Sequence, residues 1–247
     1  MDIRVFATPR EWNEDDVRGG TAIIIDVLRA SSTITQALVN GAREVVPVAT
    51  PAEAGELAAK AGRANVVLGG ERDGKLIEGF DLGNSPFEYS EDRVAGRTVI
   101  FASTNGSPAL VKAKTAEHII VGCFNNLSSV VMSAREKNLD VAIICSGRNG
   151  KFSLEDFVCA GKMVEGLIGP ASEAANDGAQ GSLDLFRYYR SQIPEVVHYC
   201  YHGKFLTGLG FGKDLDHCAK VDIHHVVPTL IEGKVRLPKS NGNLQAG

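Results

Sequence analysis

The sequence predicts an α/β fold with a largely parallel or mixed central sheet covered by helices on both faces. Two observations carry this. Short apolar runs alternate with helical patterns from the N-terminus onward, the order that βαβ units produce. Runs such as Ile23-Ile24-Ile25 are continuously apolar, as strands buried on both sides must be. A chain of 247 residues can bury such a core without covalent staples, and 44% apolar with 23% charged residues is ordinary globular usage.

The elements follow in order. Ile3–Phe6 and Ala22–Asp26 read as strands. Thr33–Asn40 reads as a helix ending at Gly41, a residue suited to a helix C-terminus. Glu44–Val48 is the next strand. Thr50-Pro51 then opens an alanine-rich helix, with Thr50 as N-cap and Pro51 in the first turn, and the helix stops at Gly62. Asn65–Leu68 is a strand. Residues 71–96 have no clear period, and so long an irregular stretch inside a compact domain points to function. Regularity returns with strand Thr98–Ala102, helix Ser107–Lys114, strand His118–Val121, helix Leu127–Glu136, strand Asp140–Cys145 and helix Ser153–Ile168. Beyond Pro170 the pattern weakens to helical "SLDLFRYYR", a helical reading of "DLDHCAKVD", strand Lys234–Leu237 and a frayed tail over 239–247. No linker divides the chain, so residues 1–247 are read as one domain, with a two-lobed form as the alternative.

Several function classes are disfavoured. A net charge of −4 argues against a nucleic-acid binder, which needs a basic field. No run reaches the roughly 20 apolar residues of a membrane span. The N-terminus lacks a signal peptide's apolar core, so a cytoplasmic protein is expected. Five cysteines without close pairs fit neither a disulfide framework nor a zinc knuckle. His198 and His202 are spaced i,i+4, but no Glu follows the first as in a zincin, so they read as ordinary residues.

Ligands of open α/β sheets bind beyond the C-terminal strand ends. Five loops lie there: Asp26 to Thr33, Gly69 to Arg72, Ser103 to Ser107, Gly122 to Asn126 and Cys145 to Asp156. They are rich in glycine, hydroxyl, carboxylate and guanidinium groups, which suits a small anion. Asp26 ends a buried run and needs a pairing partner or a metal, and Arg29 is one available partner. Ser31, Ser32 and Thr33 serve either as helix caps or as anion contacts. Thr104, Asn105 and Gly106 form either a plain turn or an N–H and hydroxyl cradle. Ser153 followed by Asp156 has capping-box form, which accounts for Asp156 and leaves Glu155 over. In the irregular stretch, Glu71, Asp81, Asn84 and Ser85 sit among glycines. Asp26, Glu71, Asp81 and Glu155 are the oxygen donors that a hard cation such as Mg²⁺ would use. Cys145 ahead of Lys151 suggests a cysteine phosphatase, but Lys stands where that pattern has Arg.

Together the pieces "DVLRASST", "GGERDGKLIEGFDLGNSP", "STNGS", "CSGRNGKFSLED" with "CAGK", and "DLDHCAKVD" leading to "VVP" resemble the 2-phosphosulfolactate phosphatase family, in order from Asp26 to Pro228. Ser103 and Ser107 stand where the family is associated with Thr, and both keep a hydroxyl. The resemblance implies a three-layer α/β/α architecture. It also implies a Mg²⁺-dependent hydrolase converting 2-phospho-3-sulfolactate to 3-sulfolactate, in some organisms a step toward coenzyme M. On this reading Asp26 and Glu71 hold Mg²⁺, with Asp81 or Glu155 as a third ligand. Asp26, Arg29, Arg148 and Glu155 are the catalytic candidates. Arg72 and Lys151 join the substrate contacts, with Ser31, Ser32, Thr33, Asn84, Ser85, Thr104, Asn105, Gly106 and Gly147. The expected partner is a small phosphorylated anion, with no nucleic acid or membrane, and a homodimer is entertained. The alternatives are another 2-phospho acid, a Cys145 nucleophile, or an anion binder without catalysis.

Overall fold

The computed structural model describes residues 1–169 and 172–238, and the tail expected to fray lies outside them. The strands are β1 Asp2–Phe6, β2 Thr21–Ile25, β3 Glu44–Val48, β4 Val66–Arg72, β5 Lys75–Leu76, β6 Thr98–Ala102, β7 His118–Gly122, β8 Val141–Cys145, β9 Glu173–Ala174, β10 Thr229–Ile231 and β11 Lys234–Arg236. The helices are α1 Ala30–Val39, α2 Pro51–Ala61, α3 Glu91–Val94, α4 Gly106–Lys112, α5 Leu127–Lys137, α6 Leu154–Leu167, α7 Asp177–Tyr189, α8 Ile193–Tyr199, α9 Tyr201–Gly208 and α10 Gly212–Cys218. This is the expected α/β class with a mostly parallel, mixed sheet, consistent with a three-layer α/β/α fold.

The sheet runs β5-β4-β6-β3-β11-β10-β7-β2-β8-β1-β9. It has two parallel halves. One is β7-β2-β8-β1, where Ile23 of β2 lies between Ile120 and Ile143. The other is β3-β6-β4, where Val99 of β6 lies between Val45 and Val67. The antiparallel hairpin β10–β11 joins them, touching β7 at Thr229↔Ile120 and β3 at Val235↔Val45.

Successive strand residues point to opposite faces, and the cores sort accordingly. Ile23, Ile25, Ile143 and Cys145 face a core lined by α5 to α8. Ala22, Ile24 and Ile144 face a second core together with Val45, Val67, Val99 and Phe101 of the other half. Ile34 and Leu38 of α1 and Leu110 of α4 fill that shared layer. Val48, Leu68 and Ile100 face α2. Each buried Ile contributes about 1.5–3 kcal/mol of transfer free energy, so continuously apolar strands are what a two-faced sheet demands.

Most predicted strands lie within a residue or two of the observed ones. Thr50 caps α2 by accepting the Glu53 N–H at 3.2 Å, and Gly62 ends it with φ +79°. The irregular stretch is a packed wall. Leu82 and Tyr89 are fully buried, and the Tyr89 hydroxyl donates to Gly83 O at 2.7 Å. Helices α8 and α9 and strand β10 were not legible, because short amphipathic pieces after Pro170 carry too little periodicity.

Candidate active site

The shared core brings the C-terminal ends of both half-sheets together. Asp26, Arg29, Glu71, Asn84, Thr104, Asn105 and Arg148 line one cleft. The space between them is about 390 Å³, counting the part open to solvent. His202, Phe205 and Leu206 of α9 form another wall.

Asp26 follows β2 directly. Its N–H donates to Ser31 Oγ at 2.9 Å, Ser31 N–H donates back to Asp26 O at 2.9 Å, and Ser31 Oγ donates to Ile24 O. This ring of bonds folds the strand-to-helix turn. Ser32 Oγ donates to Val27 O and Thr33 Oγ1 donates to Asn84 O. The three hydroxyls therefore neither cap α1 nor face the cleft. Its N-cap is Arg29, without a side-chain cap bond. The Asp26 carboxylate accepts the Ala30 N–H at 3.3 Å. Burial pushes its pKa up, Glu71 and Glu155 add to that, and His202 and the Ala30 N–H oppose it, leaving it at about 7. Gly106 explains how the opposite half-sheet gets so close. A Cβ there would lie 2.8 Å from both Asp26 Oδ2 and Ala30 Cβ.

Glu71 ends β4 with both oxygens oriented by backbone. Oε1 accepts the Thr104 N–H at 2.7 Å and Oε2 the Gly74 N–H at 2.8 Å. Beside it, Thr104 Oγ1 and Asn84 Oδ1 are buried without a hydrogen-bond partner. Unpaired buried polar atoms are costly, and two in one cleft mark where a ligand would satisfy them.

Arg29 does not pair with Asp26. Its Nη1 donates to Asp214 Oδ2 at 2.5 Å, its Nη2 to Gly74 O at 3.2 Å, and its guanidinium lies 4.0 Å from the Phe211 ring centroid. Ser85 Oγ donates to Asp214 Oδ1 at 2.8 Å, so Ser85 supports Arg29 from behind the cleft. Arg148 is stacked over Phe205 at 4.2 Å and Tyr201 at 5.0 Å. Its loop turns at Gly147, φ +62°, where a Cβ would meet Lys151 O at 2.2 Å. Asn105 Oδ1 accepts the Asn149 N–H from the same loop.

The capping-box reading of Asp156 is corrected. Ser153 makes no side-chain cap bond. Asp156 instead reaches across the sheet edge and accepts the Val27 N–H at 2.8 Å and the Gly147 N–H at 3.0 Å, tying two cleft loops together. Burial, then Glu155 and Asp26, hold its carboxyl well above the usual range. Glu155 is buried, with Oε1 3.3 Å from His202 Nδ1.

Three candidates stand apart from the cleft. Asp81 is held by Arg63 Nη2 and the Leu68 N–H, both at 2.8 Å. Arg72 donates to Glu71 O and Ala49 O. Lys151 is exposed and pairs through its backbone with Arg148. Cys145 is overturned as a nucleophile. It points into the core behind the sheet, and burial, then the Asp156, Glu11 and Glu155 charges, push its thiol well above 9.0. The sequence reading also passed over His202 and Asp214. The quoted "DLDHCAKVD" contained Asp214, but no local pattern connects it to Arg29.

The site supplies clustered carboxylates, oriented oxygen donors and fixed cations. Among the described residues, no group of three or more His, Cys, Asp or Glu side chains converges to hold a metal by itself, and no helix is long and apolar enough to cross a membrane.

Residues 6–233 match the family described as 2-phosphosulpholactate phosphatase. A Caldanaerobacter subterraneus protein named "Probable 2-phosphosulfolactate phosphatase" is 40% identical over 96% of this chain and 98% of its own. Proteins of the same name are similar from Thermotoga petrophila, 41% identical over 86% of this chain and 90% of its own, and from Clostridium acetobutylicum, 37% identical over 95% and 100%. With its cleft assembled from the same loops that carry the likeness, the chain belongs to the 2-phosphosulpholactate phosphatase family of phosphoric monoester hydrolases.

Proposed function

We propose that the protein hydrolyses 2-phospho-3-sulfolactate to 3-sulfolactate and phosphate with the help of Mg²⁺. In a host that makes coenzyme M, the reaction feeds that pathway. The observation that carries this is one cleft lined by Asp26, Glu71 and Arg148, with Asn84 Oδ1 and Thr104 Oγ1 of the same lining unsatisfied.

The donor set fits Mg²⁺. This ion is held by one or two carboxylates and completes its shell with water and substrate phosphate, so a closed protein cage is not needed. Asp26 and Glu71 would hold it, with Asn84 Oδ1 a neutral oxygen nearby. Bound there, it would neutralise charge on the phosphoryl oxygens. Asp26 as an ionised ligand also suits a carboxylate to which, among the described residues, no cationic side chain is hydrogen-bonded. Glu155 is not assigned to the metal, since His202 engages it.

The chain's own groups do the rest. Arg148 and Arg29 present positive charge to a substrate that carries phosphate, sulfonate and carboxylate groups. Arg29 is fixed by Asp214, which supports positioning over mobility. The Thr104 hydroxyl offers a hydrogen bond to a phosphoryl or sulfonate oxygen.

The test is phosphate release from 2-phospho-3-sulfolactate and other small phosphomonoesters, with Mg²⁺ and with chelator. Release that requires metal and favours the sulfonated acid is expected. No release from any ester with metal present would instead indicate a protein that binds anions without hydrolysing them.

A further inference from the structure

We infer that His202, held through Nδ1 by Glu155, donates the proton to the leaving oxygen of the phosphate ester. This rests on the phosphatase reading above and adds a catalytic residue to it. Helix α9 carries His202 into the cleft wall beside Phe205. Its Nδ1 lies 3.3 Å from Glu155 Oε1, an ion-pair distance, and the Glu155 side chain is 2% exposed, so the ring sits against a buried carboxylate. Among the described residues, no hydrogen bond engages Nε2, the ring nitrogen left for a ligand. His202 and Asp26 line the same cleft.

Elimination points the same way. Arg29 and Arg148 line the cleft but do not release protons. Asp26 and Glu71 are assigned to the metal, and Asp73 is exposed. The chemistry requires an acid more than a base. In a loose phosphoryl transition state, bond breaking runs ahead of bond making, and charge collects on the leaving oxygen. A secondary alkoxide is a poor leaving group without a proton.

The P–O bond to the leaving group breaks, its electron pair stays on that oxygen, and the Nε2 proton passes to it, giving the free alcohol. Water supplies OH to phosphorus and releases its other proton to solvent, from which His202 is reprotonated. In sum, ROPO₃²⁻ and H₂O become ROH and HPO₄²⁻, with no redox partner required.

The test compares an ester that needs this proton with one that does not. 2-Phospho-3-sulfolactate has an alkoxide leaving group, whereas acetyl phosphate releases acetate, which is stable unprotonated. His202→Asn and Glu155→Gln are assayed on both with Mg²⁺, after a thermal melt verifies folding. His202→Asn should lose about 10²–10⁴-fold on the alkyl ester and under about 10-fold on acetyl phosphate. Glu155→Gln should show the same bias, smaller in size. Equal losses on both substrates, or none, in a folded variant would overturn the assignment. If His202→Asn does not fold, the substrate bias of Glu155→Gln decides the matter by the same criterion. Failure of the wild-type protein to hydrolyse these compounds and every other phosphomonoester tried with Mg²⁺ would remove the phosphatase reading itself, a separate result.

Discussion

Glu44 and Asp26 are each 4% exposed, yet their carboxyls are driven in opposite directions. Glu44 sits where the β10–β11 hairpin joins β3. Burial raises its pKa, but Arg236, Lys234 and Thr98 more than offset that, and it falls to about 2. Arg236 Nη2 donates to it at 2.6 Å, Lys234 Nζ at 3.0 Å and Thr98 Oγ1 at 3.0 Å. At Asp26, burial with Glu71 and Glu155 outweighs the lowering by His202 and by its one backbone donor, the Ala30 N–H, and the pKa rises to about 7. The contrast separates a carboxylate used to hold the fold from one kept short of partners. A buried acid with its charge left uncompensated marks a functional site.

The largest test of that contrast is Asp26→Asn. Phosphate release should fall by roughly 10³-fold or more, in line with several kcal/mol of transition-state charge stabilisation, while the folded state survives. An active Asp26→Asn protein would break the comparison. Next in size is Asp214→Ala, which strands Arg29 in the cleft wall. Losing one member of a buried ion pair costs about 3–5 kcal/mol, read as a lower midpoint in urea. A variant as stable as wild type would show that the pair does not hold the wall.

Mg²⁺ sharpens the comparison further. At about 100 times its Kd, a ligand specific to the folded state adds about 2.7 kcal/mol. Saturating Mg²⁺ should therefore raise the melting temperature of wild type and of Glu44→Ala, but not of Asp26→Asn. A shift retained in Asp26→Asn would take Asp26 out of the metal site. Glu44→Ala itself should cost about 1–3 kcal/mol through lost hydrogen bonds to a buried carboxylate, with the Mg²⁺ response intact.

The last tests lie in pH. Glu44 is depressed from 4.5 to about 2, so its contribution is complete above its ordinary value and is lost as pH falls through that window. Asp26 is raised from 3.8 to about 7, so the folded state binds the extra proton and stability declines as pH rises between those values. Metal-free denaturation curves should show Glu44→Gln flattening the first slope and Asp26→Asn the second. Unaltered slopes would mean that neither carboxyl is perturbed as described.

Much of the fold was legible. Glu44–Val48 and Thr98–Ala102 were placed to the residue, and Thr50 and Gly62 bounded α2 as their chemistry requires. The strand-end loops were also legible as a group, so Asp26, Glu71 and Arg148 were found before their meeting was seen. Pairings were not. Arg29 is the partner for Asp26 that the sequence offers nearby, but Arg29 pairs with Asp214, far away on α10. Asp156 was read as a local cap and proved to be a brace between two loops.

The sequence by itself determined most of the strands and helices before Pro170, because apolar period and capping residues act over a few positions. It also determined which loops carry polar groups past the strand ends. Only the tertiary structure decided which of those groups meet. Hydrogen bonds and ion pairs are settled within about 3 Å, and the partners of Arg29, Glu71 and Glu155 come from elements remote along the chain. The shared core between the two half-sheets sets those distances, and no local pattern encodes them.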